Sequence, residues 1–131
     1  MKGDRMYPDE LKYSEEHTWL LPDGTNKGRI GITHYAQEQL KDVVFIELPE
    51  VGAEVVYMEP FGVIESVKAT NDLFSPATGV VIEINETLKD EPGIVNQDPY
   101  GKGWMIVVEL TNPSEPDSLM SAEEYRVLVG E

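Results

Sequence analysis

The sequence contains no cysteine among its 131 residues. Structural disulfides, thiolate nucleophiles and cysteine-based zinc sites are therefore excluded together. Any sulfur redox chemistry would have to come from a group attached to the chain. Histidine is also scarce, with His17 and His34 as the two members. A zinc site needs three or four converging ligands, so we expect no metal site and we expect both histidines to be structural or exposed.

Basic residues are few as well. The ten Lys and Arg are opposed by 25 Asp and Glu, which leaves a formal charge of -15. Repulsion from phosphate argues against nucleic acid and anionic membranes as partners, and the charge favours docking on basic patches of other proteins. No apolar run approaches the roughly 18 residues of a membrane-spanning helix, and the acid-rich start, MKGDRMYPDELKY, lacks an apolar targeting segment. These features predict a cytoplasmic protein.

Short runs with strand-like alternation make up most of the chain. The length of 131 residues and the 40% hydrophobic content predict one globular domain over residues 1–131. Two extended runs flank the turn at residues 22–24, and the runs 43–48, 80–85 and 104–111 alternate between apolar and polar residues. Gly- and Pro-rich turns between the runs predict a mainly β fold, a sandwich or a flattened barrel. We assign these residues to the inward faces: Val44, Ile46, Leu48, Val80, Ile82, Ile84, Trp104, Ile106, Val108 and Leu110. Trp19, Trp104, Phe45 and Ile82 are expected members of the core.

Two segments have helical signatures. Thr33 can cap a short helix over HYAQEQLKD, in which Ala36 and Leu40 share one face. Near the end of the chain, Ser121 and Glu124 form a capping box. The stripe that follows it is apolar at Ala122, Tyr125, Leu128 and Val129. We therefore expect a short internal helix and a C-terminal helix.

Lys68 is the most specific candidate residue, in the stretch FGVIESVKATNDLFSP at residues 61–76. Strand-like residues lead up to the lysine and the chain turns apolar again at Leu73, which places Lys68 at the tip of a predicted hairpin. An exposed lysine on a rigid turn can be reached by a modifying enzyme. An exposed amine is mostly protonated at neutral pH, so its acylation requires an activated donor and an enzyme that recognises the hairpin. On spacing alone, an ordinary polar turn residue is the simpler interpretation.

Catalytic motifs are absent from the sequence. There is no Gly-rich phosphate loop with its lysine, and close carboxylate pairs arise by chance among 25 acids. No nucleophile, base or metal set is visible. The sequence therefore predicts no catalytic residues, and an independent enzyme is the least favoured interpretation.

The residues around Lys68 resemble the lipoyl-attachment hairpin of the H-protein family of the glycine cleavage system. The motif ESVKA, with SP a few residues later, is similar to that hairpin. The resemblance continues in family order over about residues 11 to 131. Biotinyl and ordinary lipoyl domains share the hairpin but lack the flanking GITHYAQ and NQDPYGKGW blocks. The similar blocks are KYSEEHTW, GITHYAQEQL, DVVFIELPEVG, ESVKATNDLFSPATGVVIEIN and PGIVNQDPYGKGWM.

The resemblance implies a fold, a cofactor and a role. The fold is a lipoyl/biotinyl-type barrel-sandwich hybrid with a short internal helix, a C-terminal helix and a lipoyl-binding core at about residues 27–109. Lipoate is expected to be amide-linked to Lys68, and the chain is expected to be a non-catalytic carrier in one-carbon metabolism. In the family, the loaded arm is thought to fold back against the protein surface.

The same resemblance implies a set of partners. The carrier would take the aminomethyl group of glycine from a PLP-dependent glycine decarboxylase to a folate-dependent aminomethyltransferase. It would then present the dithiol to dihydrolipoyl dehydrogenase. Lipoyl-attaching enzymes would be further partners. An H-like lipoyl carrier for another assembly, for example in sulfur oxidation, or a lipoate relay between proteins, stays open as the alternative.

Three sites depart from the usual pattern of the family. Thr18 stands where many members have an acidic residue, in a segment associated with the cleft for the loaded arm. Lys41 replaces a common glycine, and the turn YMEP at residues 57–60 stands where a Lys-Gly turn is frequent. These departures bear on the resting place of the arm and on partner identity more than on lipoylation. Glu65 and Asp72 flank Lys68 and are either recognition residues for the attaching enzyme or plain solvent-facing residues.

Overall fold

The computed structural model describes residues 6–130. Within this range the chain forms nine strands and four short α-helices, with one 3-10 helix at Glu115–Ser118. The prediction of a mainly β fold with a short internal helix and a C-terminal helix is confirmed. The strands are β1 Lys12–Tyr13, β2 Thr18–Pro22, β3 Lys27–Ile32, β4 Val43–Glu47, β5 Glu54–Val55, β6 Pro60–Ser66, β7 Thr70–Phe74, β8 Gly79–Ile84 and β9 Ile106–Leu110. The α-helices are α1 His34–Leu40, α2 Thr87–Asp90, α3 Ile94–Gln97 and α4 Ala122–Val129.

The strands form two antiparallel sheets. One sheet has the order β1-β2-β3-β9-β8-β5 and the other has the order β4-β6-β7. The hairpin predicted across residues 22–24 is confirmed, since β2 and β3 pair from Thr18–Ile32 to Pro22–Gly28. Gly24 takes a φ of 88° in its turn, a conformation that glycine adopts without steric cost.

The core divides into an aliphatic cluster and an aromatic cluster. The aliphatic cluster contains Ile106 and Val108 of β9, as predicted. The aromatic cluster contains the fully buried Trp19, whereas Trp104 packs against it while only partly buried. A Cβ at Gly31 would lie 2.6 Å from the Trp19 ring, so the close approach of β3 to the indole requires glycine.

On β4 the predicted inward position of Val44 is wrong because the strand contains a β-bulge, whereas Ile46 is buried and Leu48 packs against the core, as predicted. Val43 pairs with Ser66 of β6 and Phe45 pairs with the adjacent Glu65, so that Val44 is an extra residue without a partner on β6. An extra residue reverses the alternation of faces along the strand. Val43 and Ile46 are therefore buried, whereas Val44 is 52% exposed and Phe45 is 48% exposed. Phe45 is not a member of the core.

The same error occurs on β8 for the same reason. Its register shifts between Val81 and Glu83, which makes Ile82 the extra residue. Val81 is fully buried and Ile82 is exposed, the reverse of the prediction. The bulge thus accounts for the exposure of Ile82, whereas Phe45 lies at the surface because it alternates with the buried Ile46.

The two predicted helix caps are confirmed. The Thr33 hydroxyl accepts a hydrogen bond from the amide of Ala36 at the start of α1, and Ser121 with Glu124 forms the capping box of α4. The stripe on α4 is shorter than predicted, since Leu128 is exposed. No helix in residues 6–130 is long and apolar enough to cross a membrane.

Two of the departures from the family pattern lie in backbone conformations that favour glycine. Lys41 has a φ of 65° and Met58 has a φ of 63°. Lys41 follows α1 with a ψ of -145°, a region of backbone space that is nearly restricted to glycine. The chain therefore stores backbone strain at the end of α1.

Replacing Lys41 with glycine is expected to stabilise the protein. The strained conformation costs a non-glycine residue about 1–3 kcal/mol, and glycine offsets roughly 0.5–1 kcal/mol of that gain through its larger unfolded-state entropy. We expect the free energy of unfolding to rise by about 1 kcal/mol in urea denaturation. Lys41→Ala, which keeps the Cβ and removes the charge, is the control. An equal gain in that variant would assign the effect to charge instead of strain.

Candidate functional site

Lys68 lies at the tip of the β6–β7 hairpin, as its spacing predicts. The two strands pair from Pro60–Phe74 to Glu65–Thr70, and the lysine side chain is exposed. Within residues 6–130, no hydrogen bond or ion pair engages its amine. The amine is therefore accessible to a modifying enzyme.

Ser66 holds the turn that presents Lys68. Its hydroxyl accepts hydrogen bonds from the amides of Lys68 and Ala69, at 3.3 and 3.2 Å. Its own amide donates to the Ala69 carbonyl at 2.8 Å, and the Val67 amide donates to the Asp42 carbonyl at 3.0 Å. The serine side chain is only 8% exposed, so water competes little for these bonds. The backbone beneath Lys68 is thus fixed to both β7 and the segment before β4.

Glu65 and Asp72 share the outward face of this hairpin. Glu65 pairs with Thr70, and Val63, two residues earlier on the same face, pairs with Asp72. The Asp72 side chain is exposed and that of Glu65 is half-buried. Neither carboxylate forms an ion pair with any described residue. Both are therefore available to a basic partner, and their role in recognition stays a prediction.

A cleft of about 520 Å³ opens beside β7. Its walls come from the turn before β2, from the end of β3 with α1, and from the β6–β7 hairpin. The lining on β7 begins at Thr70, two residues after Lys68. Apolar side chains include Ile32 and Leu73, whereas Glu16 and Asp72 contribute carboxylates. The cleft can therefore accommodate a long apolar chain that ends in a polar group.

Thr18 lies in the wall of this cleft and is 1% exposed. Its hydroxyl donates to the Phe74 carbonyl at 2.9 Å and shares a 2.7 Å hydrogen bond with the Ser14 hydroxyl. A carboxylate in its place would face the Phe74 carbonyl without a proton to donate, which is unfavourable in a buried site. Thr18 thus joins β2 to β7. The carboxylates in the cleft wall come from Glu16 and Asp72 instead.

His17 is a part of the cleft wall that the sequence did not reveal. It has a φ of 71°, and its Nδ1 lies 2.7 Å from the Tyr125 hydroxyl, which lies 2.8 Å from the Thr33 hydroxyl. The Tyr35 ring centroid lies 4.8 Å from that of His17. The resemblance to the family already included the stretch EEHTW, which contains His17, and the stretch GITHYAQ, which contains Thr33 and Tyr35. No local sequence pattern indicates that His17 contacts Tyr125, which lies 108 residues later in the chain.

Burial sets the charge state of this network. It lowers the pKa of His17 from its usual 6.5, partly opposed by the nearby charge of Glu16, and it raises the pKa of the Tyr125 phenol. Both groups are therefore neutral at pH 7. The other histidine, His34, lies 3.7 Å from the Glu38 carboxylate on α1. Among residues 6–130, no three His, Asp or Glu side chains converge as metal ligands.

His17 is expected to make stability depend on pH. Since its folded-state pKa is lowered, the neutral ring contributes fully above pH 6.5, and this contribution is lost as the pH falls from 6.5 to the folded-state value. His17→Gln removes the titrating group. Its melting temperature should therefore fall less than that of the parent between about pH 7.5 and pH 5. Parallel melting profiles for the two proteins would contradict this expectation.

The comparisons with known proteins agree with this geometry. The family model described as "Glycine cleavage H-protein" matches residues 11–131. The glycine cleavage system H protein of Halalkalibacterium halodurans is 55% identical over 124 residues, 95% of this chain and 96% of that protein. The same-named protein of Bacillus subtilis is 53% identical over 124 residues, 95% and 97% of the two chains.

A solved structure extends the similarity to the fold. The crystal structure of a glycine cleavage system H protein from Mycobacterium marinum superposes with a TM-score of 0.86 at 37% identity. The similarity covers 95% of this chain and 99% of that one. The chain therefore belongs to the glycine cleavage H-protein family, and it is a non-catalytic lipoate carrier that works with other components of the glycine cleavage system.

Proposed function

We propose that Lys68 is the lipoate attachment residue and that the loaded chain carries the aminomethyl group of glycine from a decarboxylase to an aminomethyltransferase. One observation supports the assignment above all others. The Lys68 amine is exposed at the tip of a hairpin whose turn is fixed by Ser66. A carrier needs an attachment point that is accessible and that stays in one position. Residues 27–109 are the proposed lipoyl-binding core.

The residues around Lys68 fit a lipoyl group. The cleft that begins at Thr70 has apolar walls at Ile32 and Leu73 and polar groups at Glu16 and His17, which suits an acyl chain with a polar load. When bound, lipoate supplies the dithiolane sulfur that a cysteine-free chain lacks. The Lys68 Nζ would hold the lipoyl group, and the hairpin would fix the position of the attachment point. The cleft walls would exclude water from the part of the group that lies in the cleft.

The proposed partners are those of the glycine cleavage system. They are a PLP-dependent glycine decarboxylase, a folate-dependent aminomethyltransferase, dihydrolipoyl dehydrogenase and the lipoyl-attaching enzymes. The formal charge of -15 favours basic docking faces on these proteins. A carrier for another assembly is the second candidate, and the observation in its favour is Thr18 in the cleft wall, where the family often has an acid.

Intact mass spectrometry tests the attachment. After incubation with a lipoate ligase, lipoate and ATP, the protein should gain the mass of one lipoyl group. Lys68→Arg should gain none, because a guanidinium is not a nucleophile at neutral pH. The exposed Lys89, which pairs with Glu86, offers a matched control, and Lys89→Arg should be modified normally. A lipoyl group on any other residue would contradict the assignment, as would an unmodified protein alongside a second acceptor that the same ligase modifies.

A further inference from the structure

The β4–β6–β7 sheet has a mixed apolar and acidic outward face next to Lys68. The register pairs Phe45 with Glu65, and Val67 lies in the turn after β6, directly before Lys68. Asp72 reaches this face through its pairing with Val63. We call this set the outer face: Phe45, Glu47, Glu65, Val67 and Asp72.

Two exposed apolar side chains dominate the outer face. Val67 is 69% exposed, and Phe45, which alternates with the buried Ile46 along β4, is 48% exposed. The hydrogen bond from the Val67 amide to the Asp42 carbonyl holds the hairpin tip against the segment before β4. Val67 is therefore next to Lys68 at the tip, and Phe45 lies beside Glu65, three residues before the lysine. An exposed aromatic residue beside a modifiable lysine is typical of an interface anchor.

The charges on the outer face are of one sign apart from Lys68. Glu47 and Asp72 are exposed and Glu65 is half-buried, and none of the three forms an ion pair with a described residue. Unpaired carboxylates around an apolar centre complement a surface with an apolar pocket and a rim of Lys and Arg. The outer face thus defines the chemistry of its partner.

We propose that the outer face is the docking surface of the enzyme that acylates Lys68, with Phe45 and Val67 as its apolar anchors. This inference rests on the proposed function of Lys68. In the reaction, the Lys68 Nζ attacks the carbonyl carbon of an acyl adenylate. The amide C–N bond forms as the C–O bond to the adenylate breaks. AMP leaves, and the ammonium loses two protons to solvent in all.

The acylating enzyme is the partner that has to approach Lys68 most closely. An enzyme that acylates the bare amine must bring its activated carbonyl to Nζ itself, so its surface has to cover the residues that flank Lys68. An enzyme that acts at the far end of a long attached arm does not have to approach so closely. Val67 adjoins the lysine in the turn and Phe45 lies beside Glu65, within the surface that the acylating enzyme has to cover.

Acylation kinetics test the anchors. With a purified lipoate ligase, Phe45→Thr should raise the KM for the acceptor protein about tenfold and leave kcat unchanged, since loss of a central aromatic anchor weakens binding by that order. Val67→Thr should act in the same direction. Val127→Thr is the matched control, because Val127 is 76% exposed on α4, and its KM should equal that of the parent. Melting temperatures of the variants establish that all are folded.

Competition gives a second readout that does not depend on acylation of the variant. Lys68→Arg should dock without being acylated and should inhibit acylation of the unaltered protein. Adding Phe45→Thr to Lys68→Arg should weaken this inhibition about tenfold, whereas adding Val127→Thr should not. Equal inhibition by all three proteins would overturn the docking surface alone. Failure of the unaltered protein to be acylated would overturn the proposed function of Lys68 and the docking surface together.

Discussion

The lipoylated protein is expected to support rapid exchange of labelled bicarbonate into the carboxyl group of glycine when a cognate glycine decarboxylase is present. The unmodified protein and Lys68→Arg are expected to be slower by orders of magnitude. The chain contains no cysteine, so without the attached group it offers no thiol or disulfide sulfur to accept the aminomethyl unit. A tethered acceptor on a docked carrier also acts at an effective concentration of order mM. Incorporation of label into glycine measures the exchange rate.

Salt provides an independent check on the same reaction. With a formal charge of -15, docking should weaken as the Debye length falls from about 10 Å at 0.1 M to about 3 Å at 1 M. We therefore expect the apparent KM for the carrier to rise with salt. Normal lipoylation of Lys68 without any exchange would favour the carrier of another assembly.

Val108→Asp is expected to unfold the protein. Val108 is fully buried on β9 and lies opposite Gly28 of β3 and Val81 of β8, so a carboxylate there would have neither water nor a counterion. Burying an unpaired charge costs several kcal/mol, a large part of the roughly 5–15 kcal/mol by which domains are stable. A thermal melt followed by circular dichroism should show no cooperative transition near that of the parent.

The adjacent position supplies the control for this substitution. Val107 is half-buried on the opposite face of β9, between Arg29 of β3 and Glu83 of β8, so Val107→Asp places its carboxylate near solvent, with a cation on one side to offset the carboxylate on the other. This variant should keep a cooperative transition. Lys68→Ala, at an exposed tip, should melt within a few degrees of the parent. Similar melting curves for the two aspartate variants would contradict the burial argument.

Strand faces were predictable from the sequence wherever the alternation is unbroken. On β9, Ile106, Val108 and Leu110 are all buried as expected. On β4 and β8, the β-bulges at Val44 and Ile82 insert one residue each. A bulge changes which residues face inward and leaves no mark in a two-residue period. The faces of Val44 and Ile82 were therefore beyond sequence reasoning, whereas Ile46, past the bulge of β4, is buried as predicted.

The candidate site was predictable in part. The position of Lys68 follows from a local turn between two strand-like runs. The cleft does not, because it brings together residues 16–18, the α1 region and β7. The His17–Tyr125 contact joins positions 108 residues apart. The helices α2 and α3, four residues each, are too short to produce a periodic pattern.

The fixed turn beneath Lys68 has a kinetic consequence for the system. With Lys68 as the proposed attachment residue, Ser66 holds the start of the arm in one place, and the end of a single arm can enter only one active site at a time. Occupancy by one partner therefore excludes the others, and each handover must wait for a dissociation event. Tight binding by any single enzyme would sequester the carrier, so an excess of one partner is expected to slow the whole cycle.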